Sequence, residues 1–327
     1  MDSPRPDILA DLAPLVARIN AAIARLMARD DEIVAKVGDY CFDAGGKRIR
    51  PLLFCLMTQA LLQPLTESRL ETGASFEFLH MATLLHDDIV DAATLRRGRA
   101  AAHLVYGAPE AVLAGDYLLA KASLLGAATD NLECVKTMAG LVSTLSLGEL
   151  VQLGARRQVE LTEADYFQII YRKTAVLMEG ATRIAAVLAG ADGPTLAAAA
   201  HYGRQFGLAF QIMDDILDYH GDQTTFGKPV GHDLDDGKIT LPFILAREAL
   251  DAPKRRRLGG LAGQDRLSPA DHLAIGQLVA EGQGVNRARL KADELVRAAQ
   301  TALTALPPSA ARDQLTALAA FTLSRDH

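Results

Sequence analysis

The sequence predicts an all-α protein folded as one domain over residues 1–327, and three observations carry that expectation. Apolar residues recur three or four positions apart almost throughout. No run alternates with period two between turn signals on both sides. The composition is that of packed helices: 50% hydrophobic residues, abundant alanine and leucine, no tryptophan, and only 26 glycines and 13 prolines. Length alone would permit two domains, but no Pro/Ser-rich linker, low-complexity tract or 30–45-residue repeat divides the chain.

Residues 7–37 read as one or two helices, with Ile8, Leu12, Leu15, Ile19, Ile23 and Leu26 on one stripe. Similar patterns cover 50–62, 70–92, 109–129, 131–154, 162–190, 194–219 and 239–250, broken at Gly45-Gly46, Gln63-Pro64 and Gly190–Gly193. Residues 220–238 are polar, glycine-rich and long for a loop in a compact domain, which predicts a functional lid. The basic run Lys254–Arg257 reads as a solvated helix end.

Several function classes are disfavoured. A net charge of −6 argues against nucleic acid as the main partner. Cys41, Cys55 and Cys134 are odd in number and lack metal or redox spacing, so they read as small buried hydrophobes. The N-terminus lacks the basic start and apolar run of a signal peptide. No uncharged apolar stretch reaches the ~18–20 residues that span a bilayer, so a soluble, cytoplasmic protein is expected.

The chemistry is carried by Leu-Leu-His-Asp87-Asp88-Ile-Val-Asp91. On a helix, Asp87 and Asp91 share a face one turn apart, with Asp88 ~100° round. Three carboxylates in one turn repel. Set among Met81, Ala82, Leu84, Leu85, Ile89 and Val90, they require compensating cations. The pattern recurs as Asp214, Asp215 and Asp218, again inside an apolar helix. Two such helices can face each other across a cavity and offer six carboxylates to hard divalent metals. Magnesium takes such oxygen ligands and is usually completed by substrate phosphates. Basic residues supply the other half of a diphosphate site: Lys47 and Arg50 after a glycine pair, Arg96-Arg97 after the first acidic helix, then Lys173-Thr174, Lys228 and Lys238. Cations around a departing diphosphate stabilise its charge as an allylic carbocation forms, and a lid must exclude water.

These motifs, from Gly-Gly-Lys-Arg-Ile-Arg-Pro through Phe-Gly-Lys-Pro-Val-Gly-His-Asp-Leu-Asp-Asp-Gly-Lys, occur in the order of the trans-isoprenyl diphosphate synthase (polyprenyl synthetase) family. The chain resembles that family over nearly its whole length, most of all its octaprenyl and decaprenyl synthases. The resemblance implies roughly a dozen helices around a deep central cavity, a homodimer and three Mg²⁺ ions. It implies that Asp87, Asp91 and Asp214 ligate metal directly, with Asp88, Asp215 and Asp218 supporting them or binding through water. Lys47, Arg50, His80 and Arg97 correspond to the isopentenyl diphosphate site, although a lone helical histidine such as His80 would otherwise read as packing. Arg96, Lys173, Lys228 and Lys238 correspond to allylic-diphosphate contacts. Thr174 and Gln211 correspond to polar groups beside the developing cation. Ala101 departs from the small hydroxyl residue often found after Arg-Arg-Gly, and His232 falls at a variable loop position. His86 could seed a phosphohydrolase-type His-Asp site, but that leaves the second acidic cluster unexplained, so it reads as structural.

Product length has a physical handle. Residues one turn before Asp87 lie beneath the carboxylates, and a helical turn rises ~5.4 Å, similar to one isoprene unit. Ala82 and Thr83 are small there, so a pocket is expected to run past Leu79 and Phe76 toward Leu141, Leu145 and Gly148. The expectation is a long product, about C40–C50, for a quinone side chain. The competing readings are a C15–C20 synthase, a class I terpene cyclase and a non-catalytic partner subunit.

Overall fold

The computed structural model describes residues 8–28, 32–43, 46–220 and 231–324. The protein is all-α. Its helices are α1 (Ile8–Met27), α2 (Glu32–Asp43), α3 (Ile49–Ala60), α4 (Glu67–Val90), α5 (Ala102–Tyr106), α6 (Ala108–Ala127), α7 (Leu132–Gly154) and α8 (Glu163–Ile170). They continue as α9 (Val176–Leu188), α10 (Gly193–His220), α11 (His232–Asp235), α12 (Leu241–Ala249), α13 (Ala252–Ala262), α14 (Pro269–Glu281), α15 (Gly284–Ala302) and α16 (Ala310–Leu323). The count exceeds the expected dozen partly because α5 and α11 span only five and four residues. Two details escaped the periodicity. Tyr171–Ala175 is a π-helical turn, and Leu95–Arg96 (β1) pairs antiparallel with Arg99–Ala100 (β2). The two residues joining those strands, Arg97 (φ 51°) and Gly98 (φ 77°), both have the positive φ that tight primed hairpin turns require.

Backbone contacts gather the described residues into two compact units. Each draws on three separate stretches of chain, so no single cut separates them. The first takes 1–142, 180–200 and 304–317. Its core is built where α1, α4 and the largely apolar α3 meet, with Leu12, Ile19, Leu52, Phe54, Phe76 and Phe78 excluded from solvent. Phe54 and Phe76 lie with ring centroids 5.9 Å apart. Burying each such side chain contributes ~1.5–3 kcal/mol. α4 starts where the Thr66 hydroxyl accepts the Arg69 N–H and stops at Asp91, after which Ala92 turns left-handed.

The second unit takes 143–179, 201–303 and 318–327. Its core joins α8, α10, α12, α14 and α15 through Tyr166, Ile212, Met213, Ile216, Phe243, Ile244, Ile275 and Ala288. Capping boxes at Thr162/Asp165 and Ser268/Asp271 start α8 and α14. The basic run is more than a solvated end. Arg255 donates to the carbonyls of Arg247, Glu248 and Leu250, which caps the last turn of α12, and Lys254 pairs with Glu281. Among the described residues α7 alone is long and apolar enough to cross a membrane by length and composition, and most of it is not buried within the chain.

Candidate active site

In the first unit α4 delivers Asp87, Asp88 and Asp91 at its last turn. Asp91 is the C-cap residue, its N–H bonded to the Asp87 carbonyl. Asp88 is 3% exposed and is held by Arg96 at the tip of β1, whose Nε donates to Oδ1 at 2.8 Å and whose terminal nitrogen contacts the same oxygen. Arg96, predicted as a substrate contact, thus pairs with the middle acid of the first cluster.

The glycine-lysine-arginine segment before α3 folds around Arg48, a residue to which the sequence motifs assign no role. Arg48 adopts left-handed geometry (φ 49°) at the N-cap position. Its Nε donates to Asn20 Oδ1 (2.9 Å), one terminal nitrogen to Glu77 Oε1 (3.0 Å) and the other to the Phe42 carbonyl (2.8 Å). Arg48 and Glu77 are 7% and 2% exposed, a buried ion pair with its remaining donors satisfied. The anchor leaves Lys47 exposed and Arg50 half-buried. A Cβ on Gly46 would lie 3.2 Å from the guanidinium nitrogens of both Arg48 and Arg97, so the loop and the hairpin meet here. His80 belongs to the same group. Burial, then the charges of Arg50 and Arg97, with smaller effects from Arg96 and Arg48, hold its imidazole well below the usual histidine range and hence neutral. Three of the four predicted isopentenyl diphosphate contacts are therefore brought together electrostatically, with Lys47 on the adjoining loop. The signal for Glu77 was available: it is an acid inside the apolar run Ser-Phe-Glu-Phe-Leu.

His86, read from the sequence as structural, packs against α6. Its Nε2 sits 3.1 Å from the Val112 carbonyl and 3.4 Å from Asp116, and a Cβ on Gly115 would stand 2.4 Å from it. The half-exposed face of α4 runs through His80, Thr83, Leu84, Asp87 and Asp91, whereas Leu79 and Ala82 are fully buried. Thr83 donates its hydroxyl to the His80 carbonyl at 2.8 Å. Ala101 occupies the N-cap of α5 without a side-chain cap, so its departure from the family pattern removes a helix cap rather than a chemical group.

In the second unit the π-turn carries Lys173 and Thr174. A π-turn adds one residue to the helical circuit and is frequent at functional sites. Here it is pinched between two glycines. A Cβ on Gly148 of α7 would lie 2.8 Å from Arg172 Cβ and 3.0 Å from its carbonyl carbon, and one on Gly207 of α10 would lie 2.5 Å from Ala175 Cα. Gly148, expected to border a product pocket, owes its missing side chain to this contact. Lys173 Nζ donates to Glu149 at 2.9 Å. Thr174 donates to Gln211 Oε1 (2.7 Å), Gln211 Nε2 donates to Asp215 Oδ1 (2.8 Å), and the Tyr166 hydroxyl donates to Asp215 Oδ2 (2.6 Å). Asp218 accepts the Asp233 N–H at 3.1 Å, and Lys238 bonds Asp236 (2.7 Å) and lies 3.6 Å from Asp233. Tyr166, Lys173, Thr174, Gln211, Asp215, Asp233 and Lys238 line a cavity of about 110 Å³. A larger one, about 340 Å³, lies between the end of α10 and α14 and holds none of the predicted residues. Burial, then Asp233, pushes the Asp215 carboxyl well above the usual carboxylate range, with Asp214 adding to it. Lys228 and most of the expected lid lie outside the described residues.

The donor set is one that suits a hard divalent cation. Among the described residues no three Asp, Glu, His or Cys side chains form a ready-made metal cage. Magnesium is usually held by one or two carboxylates, waters and substrate phosphates, and like-charged acids such as Asp214, Asp215 and Asp233 favour a cation near them.

The comparisons with known proteins agree with this chemistry. A sequence model of the polyprenyl synthetase family matches residues 31–277. The chain is 34% identical to the octaprenyl diphosphate synthase of Escherichia coli K12, covering 95% of this chain and 96% of that one. It is 37% identical to an all-trans-nonaprenyl-diphosphate synthase (geranyl-diphosphate specific) of Rhodobacter capsulatus, covering 98% of each. A crystal structure of a polyprenyl synthase from Caulobacter crescentus CB15, complexed with calcium and isoprenyl diphosphate, matches with a TM-score of 0.88 at 35% identity over 100% of both chains. With the two acidic clusters, their cations and the lysine-threonine π-turn in the family's order, this chain belongs to the polyprenyl synthetase family.

Proposed function

We propose that the protein is a Mg²⁺-dependent trans-prenyltransferase that condenses isopentenyl diphosphate with an allylic diphosphate. One observation carries the reading beyond family membership: Lys173, Thr174, Gln211 and Asp215 converge on one cavity, placing a cation beside oriented neutral dipoles. In this reading Lys47, Arg50, His80 and Arg97 bind isopentenyl diphosphate, and Arg96, Lys173, Lys228 and Lys238 bind the allylic diphosphate. Asp87, Asp91 and Asp214 ligate metal, supported by Asp88, Asp215 and Asp218. Three bound Mg²⁺ ions would supply positive charge to the diphosphate. Lys173 holds the diphosphate as the allylic C–O bond breaks, the electron pair leaving with oxygen. The Gln211 carbonyl and Thr174 hydroxyl face the cation left behind. The double bond of isopentenyl diphosphate forms the new C–C bond, and a proton is then lost.

The product in this reading is long, about C40–C50, as the names of the octaprenyl and nonaprenyl relatives support, and serves a quinone side chain. Of the chain-length residues Leu79, Ala82 and Thr83, only Thr83 keeps accessible surface, so Thr83→Phe is the sharper way to floor the pocket. Ala82→Phe would overpack a closed site. The enzyme works in the cytoplasm as a homodimer of single polyprenyl synthetase domains. The exposed Leu113, Tyr117 and Leu124 of α6, with Leu132 and Val135 of α7, support a second copy there. The test is purified protein with Mg²⁺, farnesyl diphosphate and labelled isopentenyl diphosphate, with products resolved by length. A ladder to forty carbons is expected. A stop at twenty would replace the long product with a short one, and product without isopentenyl diphosphate would identify a cyclase.

A further inference from the structure

We propose that Tyr166 is a positioning residue for this reaction, acting through Asp215 to fix which way the Gln211 amide faces. The inference rests on the role given above to Gln211. Tyr166 is 2% exposed on α8, and its hydroxyl ends on Asp215 Oδ2 at 2.6 Å. Asp215 is itself 5% exposed and lies one turn beyond Gln211 on α10. Its other oxygen takes the Gln211 Nε2 donor at 2.8 Å. A primary amide that donates through nitrogen on one side must present its carbonyl on the other. That carbonyl points to Thr174, which is 7% exposed and donates to it at 2.7 Å. Three hydrogen bonds, the first buried and the other two part-buried, therefore link Tyr166 to the π-turn through Asp215 and Gln211.

Each link closes an alternative. With Tyr166 holding Oδ2, the Asp215 carboxylate cannot swing about its terminal torsion, a broad and easily moved one. With the carboxylate fixed, a flipped Gln211 would set its carbonyl against Oδ1 and lose that bond, while the Thr174 hydroxyl can accept as well as donate, so it is the carboxylate that selects the orientation. The residue second in the acidic motif thus acts on the reacting end through Gln211, and Tyr166 is its neutral counterweight. Nothing in the spacing of the acidic motif marks Tyr166, which lies 49 positions away in sequence.

The experiment is a double-mutant cycle on the full chain, with Tyr166→Phe, Asp215→Asn and the pair, measured in the labelled-isopentenyl assay. Incorporation by the unaltered protein first establishes that the underlying reaction occurs, and its absence would sink the functional reading rather than this one. Tyr166→Phe is expected to lower kcat about tenfold, as loss of one charge-assisted hydrogen bond in the transition state does. The KM for isopentenyl diphosphate and the half-saturating Mg²⁺ should stay within twofold. In the Asp215→Asn background the same change should cost less than threefold, because its target is already altered. An unchanged kcat, fully multiplicative effects, or a Mg²⁺ requirement that rises with the lost rate would overturn the proposal. Thermal melts of all three variants separate lost folding from lost orientation, and the cycle holds even if each single variant is less stable.

Discussion

The same four-residue spacing of acids is built twice in this chain, and the two copies are stabilised by opposite means. At the end of α4 the middle acid, Asp88, is met by a full positive charge on Arg96. Its neighbourhood holds a second ion pair, Arg48–Glu77. On α10 the equivalent acid, Asp215, is met among the described residues by the neutral donors Tyr166 and Gln211, with Asp233 and Asp214 adding like charge. Among the described residues, Asp88 is thus met by a full charge and Asp215 by neutral donors beside other acids, so a bound cation would relieve Asp215 more than Asp88. Identical motifs thus need not have identical electrostatics, because the partners come from elements far away in sequence.

The comparison can be broken or sharpened experimentally. The largest effect belongs to the outer acids. Asp87→Asn and Asp214→Asn should each reduce kcat/KM by about two to three orders of magnitude, the loss seen when a group stabilising transition-state charge is removed. The rate should be partly regained at high Mg²⁺. An unaltered rate in either variant would show that cluster to be a solvated face. Next is the buried pair. Glu77→Leu leaves Arg48 buried and uncompensated and should cost about 3 kcal/mol in denaturant unfolding, with a raised KM for isopentenyl diphosphate because the loop carrying Lys47 and Arg50 loses its anchor. A smaller effect separates the middle acids. Asp88→Asn should destabilise the metal-free protein by about 1 kcal/mol, a low figure because Arg96 is 39% exposed. Asp215→Asn should leave stability unchanged or raise it. Equal losses at the two positions would erase the contrast.

The smallest effect is a pH slope. His80 is held neutral in the fold, with a pKa below its ordinary value of 6.5. The unfolded chain therefore binds the proton first, and His80 contributes stability that is present above pH 6.5 and lost as pH falls through its folded pKa. His80→Gln should flatten the fall in stability that sets in below pH 6.5. An unaltered slope would place the titration elsewhere.

Much of this was legible in the sequence, and the limits were physical. The long helices as far as α12 followed from three-four periodicity, and several breaks between them from Gly45-Gly46, Gln63-Pro64 and Gly190–Gly193. Both acidic clusters stood out because carboxylates in apolar helices need partners. The pairings did not. Glu77 shows locally as an acid in an apolar run, but its target Arg48 and the target of Tyr166 are chosen only when helices pack, and no local pattern announces a hydrogen bond 49 positions away. The π-turn was hidden because one extra residue does not disturb an apolar stripe. The hairpin at Arg97-Gly98 was missed because four strand residues are too few to show alternation. Burial along α4 was hidden for a related reason. Lying one turn from Asp87 does not tell that Ala82 is packed away while its neighbour Thr83 keeps accessible surface.

The pinched π-turn has a consequence for anyone altering this protein. Replacing helical glycines by alanine is a common route to a sturdier protein, since each compatible exchange adds about 0.4–1 kcal/mol by narrowing the unfolded ensemble. Gly260 and Gly276 have nothing within 4 Å of an added Cβ and should accept the change. Gly148 and Gly207 look the same to a propensity scale and would push the Lys173-Thr174 turn off its register. A stabilisation campaign guided by sequence alone would disarm the enzyme at those two sites while improving every local score.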